Sequence, residues 1–307
     1  MKVQKVEFKS VGLNLVGNLY LPEGYDESRQ YPTIVVTPPA HQIKEQTPAV
    51  YGPQFAKLGY LFFAFDYNSK GESQSYAQGV SNDEHAFRKQ EDLRSAISYL
   101  CALPQVDNQR LYGLGICGGG TIMSGVLITD LRIKAFASIS AMLATDSLFF
   151  ADPQAFRAMI TTANDARQRM YESGEAEVFD LFGYDDPNYI DNHPEASPAA
   201  LEGYDFYGTE RAGSITYPRF SNQVLSNIYE TVVYNIGERY ADKMLQPYIG
   251  IVGGNADTAP FTELFYDKVA SHKQLHRVAG ASHVDLYDVE PYVTEAVEQI
   301  DQFFKAL

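Results

Sequence analysis

The chain has 307 residues, enough for one large α/β domain carrying an insertion, and its 45% hydrophobic and 21% charged content is that of a globular protein. Its net charge of −15 repels other polyanions, which excludes nucleic acid and anionic membrane surfaces as expected partners. Two cysteines, Cys101 and Cys117, make no disulfide framework at this length, and no apolar run approaches a membrane span.

The opening residues Met1 to Glu7 lack the apolar core of a signal peptide, so the cytoplasm is the expected compartment. Val3 to Phe8 and Leu13 to Leu21 alternate apolar with polar residues around Gly12, the pattern of an antiparallel hairpin. Thr33 to Thr37 is a short continuous apolar run, as expected of a strand buried on both faces, and it ends in Pro38-Pro39-Ala40-His41. A helix is expected from Thr47 to Leu58 and a second buried strand over Leu61 to Phe65. The next helix spans His85 to Cys101, with an apolar stripe of Phe87, Leu93, Ile97 and Leu100. Cys101 reads as a packed helix residue.

Leu111 to Ile116 is a strand, Gly115-Ile116-Cys117-Gly118-Gly119 a tight turn, and Thr121 onward a helix. This strand–turn–helix is the layout of a nucleophile elbow with cysteine at its tip. A helix N-terminus beside the thiol favours the thiolate. Gly113, Gly115 and Gly118 also fit a dinucleotide-binding spacing, which is the rival reading. Ala135 to Ile139 is the next strand. Strands alternating with helices predict a mostly parallel sheet with helices on both faces, binding ligands outside the carboxyl ends of its strands.

The alternation stops near Thr145. Residues 146–245 are expected to form an inserted lid, and residues 1–145 with 246–307 the core. Within the insertion a helix is expected over Ala155 to Met170, loops over Phe179 to Gly213, and a further helical stretch from Val224. Its many aromatic residues argue against disorder. Pro247 to Gly253 is again a strand, Phe261 to Ala270 a helix, Leu275 to Val278 a last strand and Pro291 to Phe304 a closing helix.

A cysteine nucleophile needs a base and a group to orient it. In this architecture they follow in the order nucleophile, acid, histidine. Asp257, in the loop after the Pro247–Gly253 strand, and His283, in the loop after the last strand, occupy those places; Asp285 is the second choice of acid. The oxyanion needs two backbone N–H donors. Gly118 is one. Ala40 is expected to be the other, with His41 as runner-up, because Pro38 and Pro39 have no N–H. Asp66 reads as a turn residue, and His85, His193, His272 and His276 as structural or surface positions. No His, Cys, Asp and Glu set has zinc spacing, so no metal and no cofactor are expected.

These stretches resemble the α/β-hydrolase superfamily, in its dienelactone-hydrolase-like branch. They are similar to fungal polyketide transferases and thiohydrolases and, more distantly, to X-Pro dipeptidyl-peptidase-type hydrolases. The matching stretches include Lys44-Glu45-Gln46, Phe65-Asp66-Tyr67, Glu91-Asp92-Leu93-Arg94, the Gly113–Cys117 elbow, Asp257 and His283. The resemblance implies a Cys117–His283–Asp257 triad. It departs from the family pattern in the Thr37–His41 loop and in Gly118-Gly119-Gly120-Thr121 after the nucleophile. The expected function is hydrolysis of an ester, lactone or thioester of a small-molecule acyl substrate through a cysteine acyl-enzyme. Acyl transfer to a small acceptor and non-catalytic ligand binding are the alternatives, and a homo-oligomer is compatible with the sequence.

Overall fold

The computed structural model describes residues 1–76 and 80–307, apart from the side chain of Val232. Strands β1 (Lys2–Ser10) and β2 (Leu13–Leu21) form the expected hairpin. Val11 and Gly12 both take positive φ, 45° and 87°, the two-residue turn whose twist matches that of the strands. There follow β3 (Tyr31–Thr37), α1 (Thr47–Lys57), β4 (Leu61–Phe65), α2 (Ala86–Ala102), β5 (Val106–Ile116), α3 (Gly118–Leu127) and β6 (Ala135–Ile139).

The chain then leaves the sheet for α4 (Pro153–Ser173), β7 (Val178–Asp180), α5 (Tyr189–Asn192), α6 (Pro198–Tyr207) and β8 (Gln223–Leu225). It returns as β9 (Tyr248–Gly253), α7 (Ala259–Lys268), β10 (Lys273–Val278), α8 (Asp285–Asp288) and α9 (Tyr292–Lys305). The main sheet has the order β1-β2-β4-β3-β5-β6-β9-β10. β1 and β2 run antiparallel to their neighbours, and all pairs from β4 to β10 are parallel.

Side-chain alternation divides the core into two layers. Ile34, Val36, Phe62, Leu114, Ile139 and Ile251 face α1 and α9, where Tyr51, Phe55, Val297 and Ile300 meet them. Val35, Leu61, Phe63, Leu111, Phe136 and Tyr248 face the other way, onto Leu93, Ile97 and Leu100 of α2, Met123 and Val126 of α3 and Phe265 of α7. Period-two alternation in strands covered on both faces makes both sets apolar. Phe87 departs from the expected α2 stripe: it lies in the first turn and is exposed, while Lys89, Gln90 and Asp92 of the same helix are buried.

The insertion corrects two readings. The stretch taken as loops contains α6, started by Ser197, whose side chain accepts from the Ala200 N–H, and by Pro198 in the first turn. The expected helix from Val224 is instead strand β8, paired antiparallel with β7, followed by a 3₁₀ segment over Ile228–Tyr234. Val224 and Leu225 are buried in a small cluster with Ile228, against which Met170, Phe179 and, from outside the insertion, Val80 pack. A pairing partner far away in sequence decided that local conformation.

Candidate active site

The elbow forms as its sequence requires. Cys117 has φ 50° and ψ −123°, outside the comfortable region for a residue with a side chain. Hydrogen bonds hold it there: Cys117 N–H donates to the Ile139 carbonyl (3.0 Å), and the Cys117 carbonyl accepts from Gly120 (3.0 Å) and Met142 (3.1 Å). The flanking glycines are sterically required. A Cβ on Gly115 would sit 2.7 Å from Gly120 Cα, and one on Gly119 would sit 2.1 Å from the Thr37 carbonyl oxygen. The Thr37 hydroxyl ties the β3 loop to the elbow through the Gly119 carbonyl (2.8 Å).

Three groups face the Cys117 sulfur: the Tyr287 hydroxyl and the backbone N–H groups of Gly118 and Ala40. Burial pushes the thiol pKa up, and these three donors pull against it without reversing the shift. The resting form is therefore the thiol, not the thiolate expected from the helix terminus.

Of the two candidates for the second N–H, Ala40 is the one aimed at the sulfur. The His41 N–H is already committed to the Glu84 carboxylate (3.2 Å). Glu84 also bonds Lys89 (2.9 Å) and Lys70, and Lys70 reaches the His41 carbonyl (3.4 Å). Burial raises the Glu84 carboxyl, but Lys70 and Lys89 outweigh it and hold it well below the usual range. This buried ion cluster fixes the Ala40–His41 loop. The His41 ring is 1% exposed, and neither nitrogen makes a hydrogen bond of good geometry. It stacks on Phe182 of the insertion (5.2 Å between centroids), and burial drives its pKa to about 4.

His283 lies after β10 as expected and is 7% exposed. Its partners are not those expected. Nδ1 meets the Thr258 hydroxyl at 2.5 Å, and Nε2 meets the Tyr287 hydroxyl at 2.9 Å. Burial lowers the His283 pKa to about 4, so the ring is neutral. Asp257, the expected acid, is exposed at the turn before α7 and makes no hydrogen bond to His283; its neighbour Thr258 turns inward instead. Asp285 is not the orienting acid either: it accepts from the Ser282 N–H (2.9 Å) while Ser282 Oγ accepts from the Asp285 N–H (3.1 Å). That reciprocal pair starts α8, which carries Tyr287 one turn beyond His283.

The roof comes from the insertion. Tyr184 and Tyr207 lie close enough to Cys117 to feel a charge on the sulfur, and the Tyr207 hydroxyl accepts from Gln42 Nε2 (3.3 Å). Tyr287, Tyr207, Gln42 and Thr258 were not singled out in the sequence. The one available signal was the spacing of Tyr287 four residues after His283. Asp66, read as a turn residue, is a buried partner of Lys44 (2.7 Å) and accepts the Glu72 N–H (3.0 Å). Among the described residues, no three His, Cys, Asp or Glu side chains are grouped to hold a metal, and no helix is long and apolar enough to cross a membrane.

No family model matches the chain. Its sequence is 30% identical to the uncharacterized protein YcjY of Escherichia coli over 99% of this chain and 98% of that protein. It is 23% identical to the polyketide transferase claH of Penicillium crustosum, over 94% and 92% of the two chains. The fold is similar to that of the α/β hydrolase GrgF from Penicillium sp. sh18, with a TM-score of 0.76 at 16% identity over 100% of this chain and 99% of that one.

Proposed function

From its membership of the α/β-hydrolase superfamily, in one family with YcjY, we propose that this chain hydrolyses a small ester, lactone or thioester through an acyl-enzyme on Cys117. The observation that carries the reading is the Cys117 thiol at a strained elbow tip, faced by two backbone N–H groups and one hydroxyl away from a neutral histidine.

The chemistry follows from those positions. Sulfur attacks the acyl carbonyl and its proton passes to His283. The carbonyl oxygen becomes an oxyanion held by the N–H groups of Gly118 and Ala40. The imidazolium formed keeps its Nδ1–H on Thr258 and returns the other proton to the leaving group. Water then releases the acyl group by the same steps in reverse order. A thiol suits activated acyl groups, since the thiolate is a strong nucleophile and a good leaving group. Residues 146–245 act as the lid, with Tyr184 and Tyr207 excluding bulk water from the thioester.

That aromatic roof is also the observation favouring the second reading, transfer of the acyl group to a small acceptor, and the polyketide transferase relative supports it. Incubation with p-nitrophenyl acetate tests the proposal. Product release with an acetyl adduct on Cys117 is expected. Cys117→Ala is expected to abolish turnover and Cys101→Ala to leave it intact; the opposite pattern refutes the assignment. Added alcohols or amines separate the two readings by whether transfer outruns hydrolysis.

A further inference from the structure

We propose that Ser140 is a positioning residue: its hydroxyl holds the main chain of His283 in register with the Cys117 elbow. The inference rests on the Cys117 acyl-enzyme reading and deepens it. Ser140 is the first residue after β6, is 5% exposed and takes φ 44°. A left-handed backbone at a residue with a Cβ is strained and persists only where its surroundings impose it. Glycine meets the same backbone without strain. What serine adds is a hydroxyl, and that hydroxyl donates to the His283 carbonyl (3.1 Å) in a buried contact.

The turn that carries Ser140 is bonded to both halves of the site. On the nucleophile side, the Ile139 carbonyl accepts from the Cys117 N–H (3.0 Å), and the Met142 N–H donates to the Cys117 carbonyl (3.1 Å). A Cβ on Gly120 would stand 2.6 Å from Ala141 Cβ, so the turn also lies directly against the first turn of α3. On the other side, the Ser140 N–H donates to the Ile251 carbonyl of β9 (2.9 Å), and Thr262 Oγ1 of α7 donates to the Ala141 carbonyl (2.9 Å). Cys117 and the turn are thus one hydrogen-bonded unit. His283 arrives on a separate loop. Its ring is held by the hydroxyls of Thr258 on Nδ1 (2.5 Å) and Tyr287 on Nε2 (2.9 Å), and its carbonyl by Ser140. Of these three hydroxyls, that of Ser140 belongs to the turn that also holds Cys117, so it ties the base to the nucleophile's own support.

No proton passes through Ser140; it acts through His283. With the hydroxyl removed, the buried carbonyl of His283 loses this donor. The loop regains a partner there by shifting or by admitting water. Either change acts on the base. A shift moves the imidazole away from the sulfur, and reaction rates are steep in such displacements. Water hydrates a ring whose pKa is lowered to about 4 by burial. The titratable group bonded to that ring is the Tyr287 hydroxyl, which burial keeps neutral. The carboxylates beside the loop, Asp285 and Glu202, accept from the Ser282 and Val284 N–H groups (2.9 and 3.5 Å). Loss of burial therefore moves the His283 pKa up.

The test uses the full chain with p-nitrophenyl acetate. Ser140→Gly removes the hydroxyl and the backbone strain together, so stability and catalysis are expected to part. Its Tm is expected at or near the parent's, while kcat falls by about 2- to 12-fold, the worth of one neutral hydrogen bond, with KM within about twofold. The acid limb of its kcat/KM profile is expected to rise from near pH 4 toward 6.5. Ser140→Ala, which keeps the strain, is expected to show the same kinetic changes with a lower Tm, and it decides by the same readouts if the glycine variant does not fold. A variant lacking the hydroxyl but matching the parent in rate and pH profile overturns the role of Ser140 and leaves Cys117 as nucleophile. So does a slow variant whose acid limb has not moved, since a merely structural loss gives that result. Absence of turnover and of a Cys117 adduct in the parent overturns the acyl-enzyme reading, and the role of Ser140 with it.

Discussion

Replacing Thr258 and Asp257 one at a time distinguishes between two physical pictures of the histidine. In the structure, the Thr258 hydroxyl is the partner of His283 Nδ1 at 2.5 Å, and Asp257 is exposed. Thr258→Val keeps the shape and removes the acceptor. The buried Nδ1–H is then left unsatisfied, a cost of about 1–3 kcal/mol, which corresponds to roughly 5- to 150-fold in rate when it falls on the transition state. Asp257→Asn removes a charge that touches nothing in the site, and its expected effect is within about twofold, as for a surface substitution. A carboxylate that truly orients a catalytic histidine is worth far more: its conversion to the amide costs on the order of 10⁴-fold in a serine protease triad. The assay is kcat/KM on an activated ester, with thermal unfolding to show that each variant is folded. A loss of 10³-fold or more in Asp257→Asn beside a near-normal Thr258→Val refutes the hydroxyl as the orienting group and restores the carboxylate.

Three further outcomes are expected. His41 and His283 both have pKa values lowered from 6.5 to about 4 by burial. The unfolded chain therefore binds more protons than the folded one between those values. Stability is full above pH 6.5 and falls as the pH drops toward 4, by about 2–3 kcal/mol per histidine. Denaturant unfolding at pH 7 and pH 4.5 measures this, and a flat profile contradicts it; likewise the acid limb of kcat/KM is expected near pH 4 instead of 6.5. Glu84→Gln leaves Lys70 and Lys89 buried without their shared carboxylate, a cost of about 3–5 kcal/mol, seen as a fall in Tm and a slower enzyme. An unchanged Tm argues that the loop is held some other way. Gly119→Ala places a methyl 2.1 Å from the Thr37 carbonyl oxygen, so loss of the elbow geometry and of turnover is expected, and normal kinetics refute the close packing.

The legible parts were those where one residue's needs are local. A glycine-flanked cysteine between a buried strand and a helix has few conformations open to it, so Cys117 at the elbow could be read directly, as could Gly118 beside it. Elimination narrowed the second donor to Ala40 and His41, because proline has no N–H, and the Glu84 carboxylate that takes the His41 N–H separates the two only in the fold. Strand alternation placed His283 after the last strand. The thiol's protonation differs from the expectation because the helix terminus is a sequence-local feature, whereas the burial that raises the thiol pKa comes from the surrounding fold. The strand in the insertion was read as helix because its partner lies before α5 and α6.

By itself, then, the amino-acid order determined the alternating sheet, the strained elbow and which cysteine and histidine stand at the strand ends, since periodicity, glycine sterics and the missing N–H of proline act over a few residues. Only the tertiary structure decided how those groups are joined. The turn before α7 directs Thr258 inward and leaves Asp257 in solvent; α8 sets the Tyr287 hydroxyl on the imidazole; the insertion brings Tyr207 to Gln42. Each of these depends on where separately folded segments meet, and the direction of a hydroxyl across such a junction is fixed by packing and hydrogen-bond satisfaction, which no local pattern encodes.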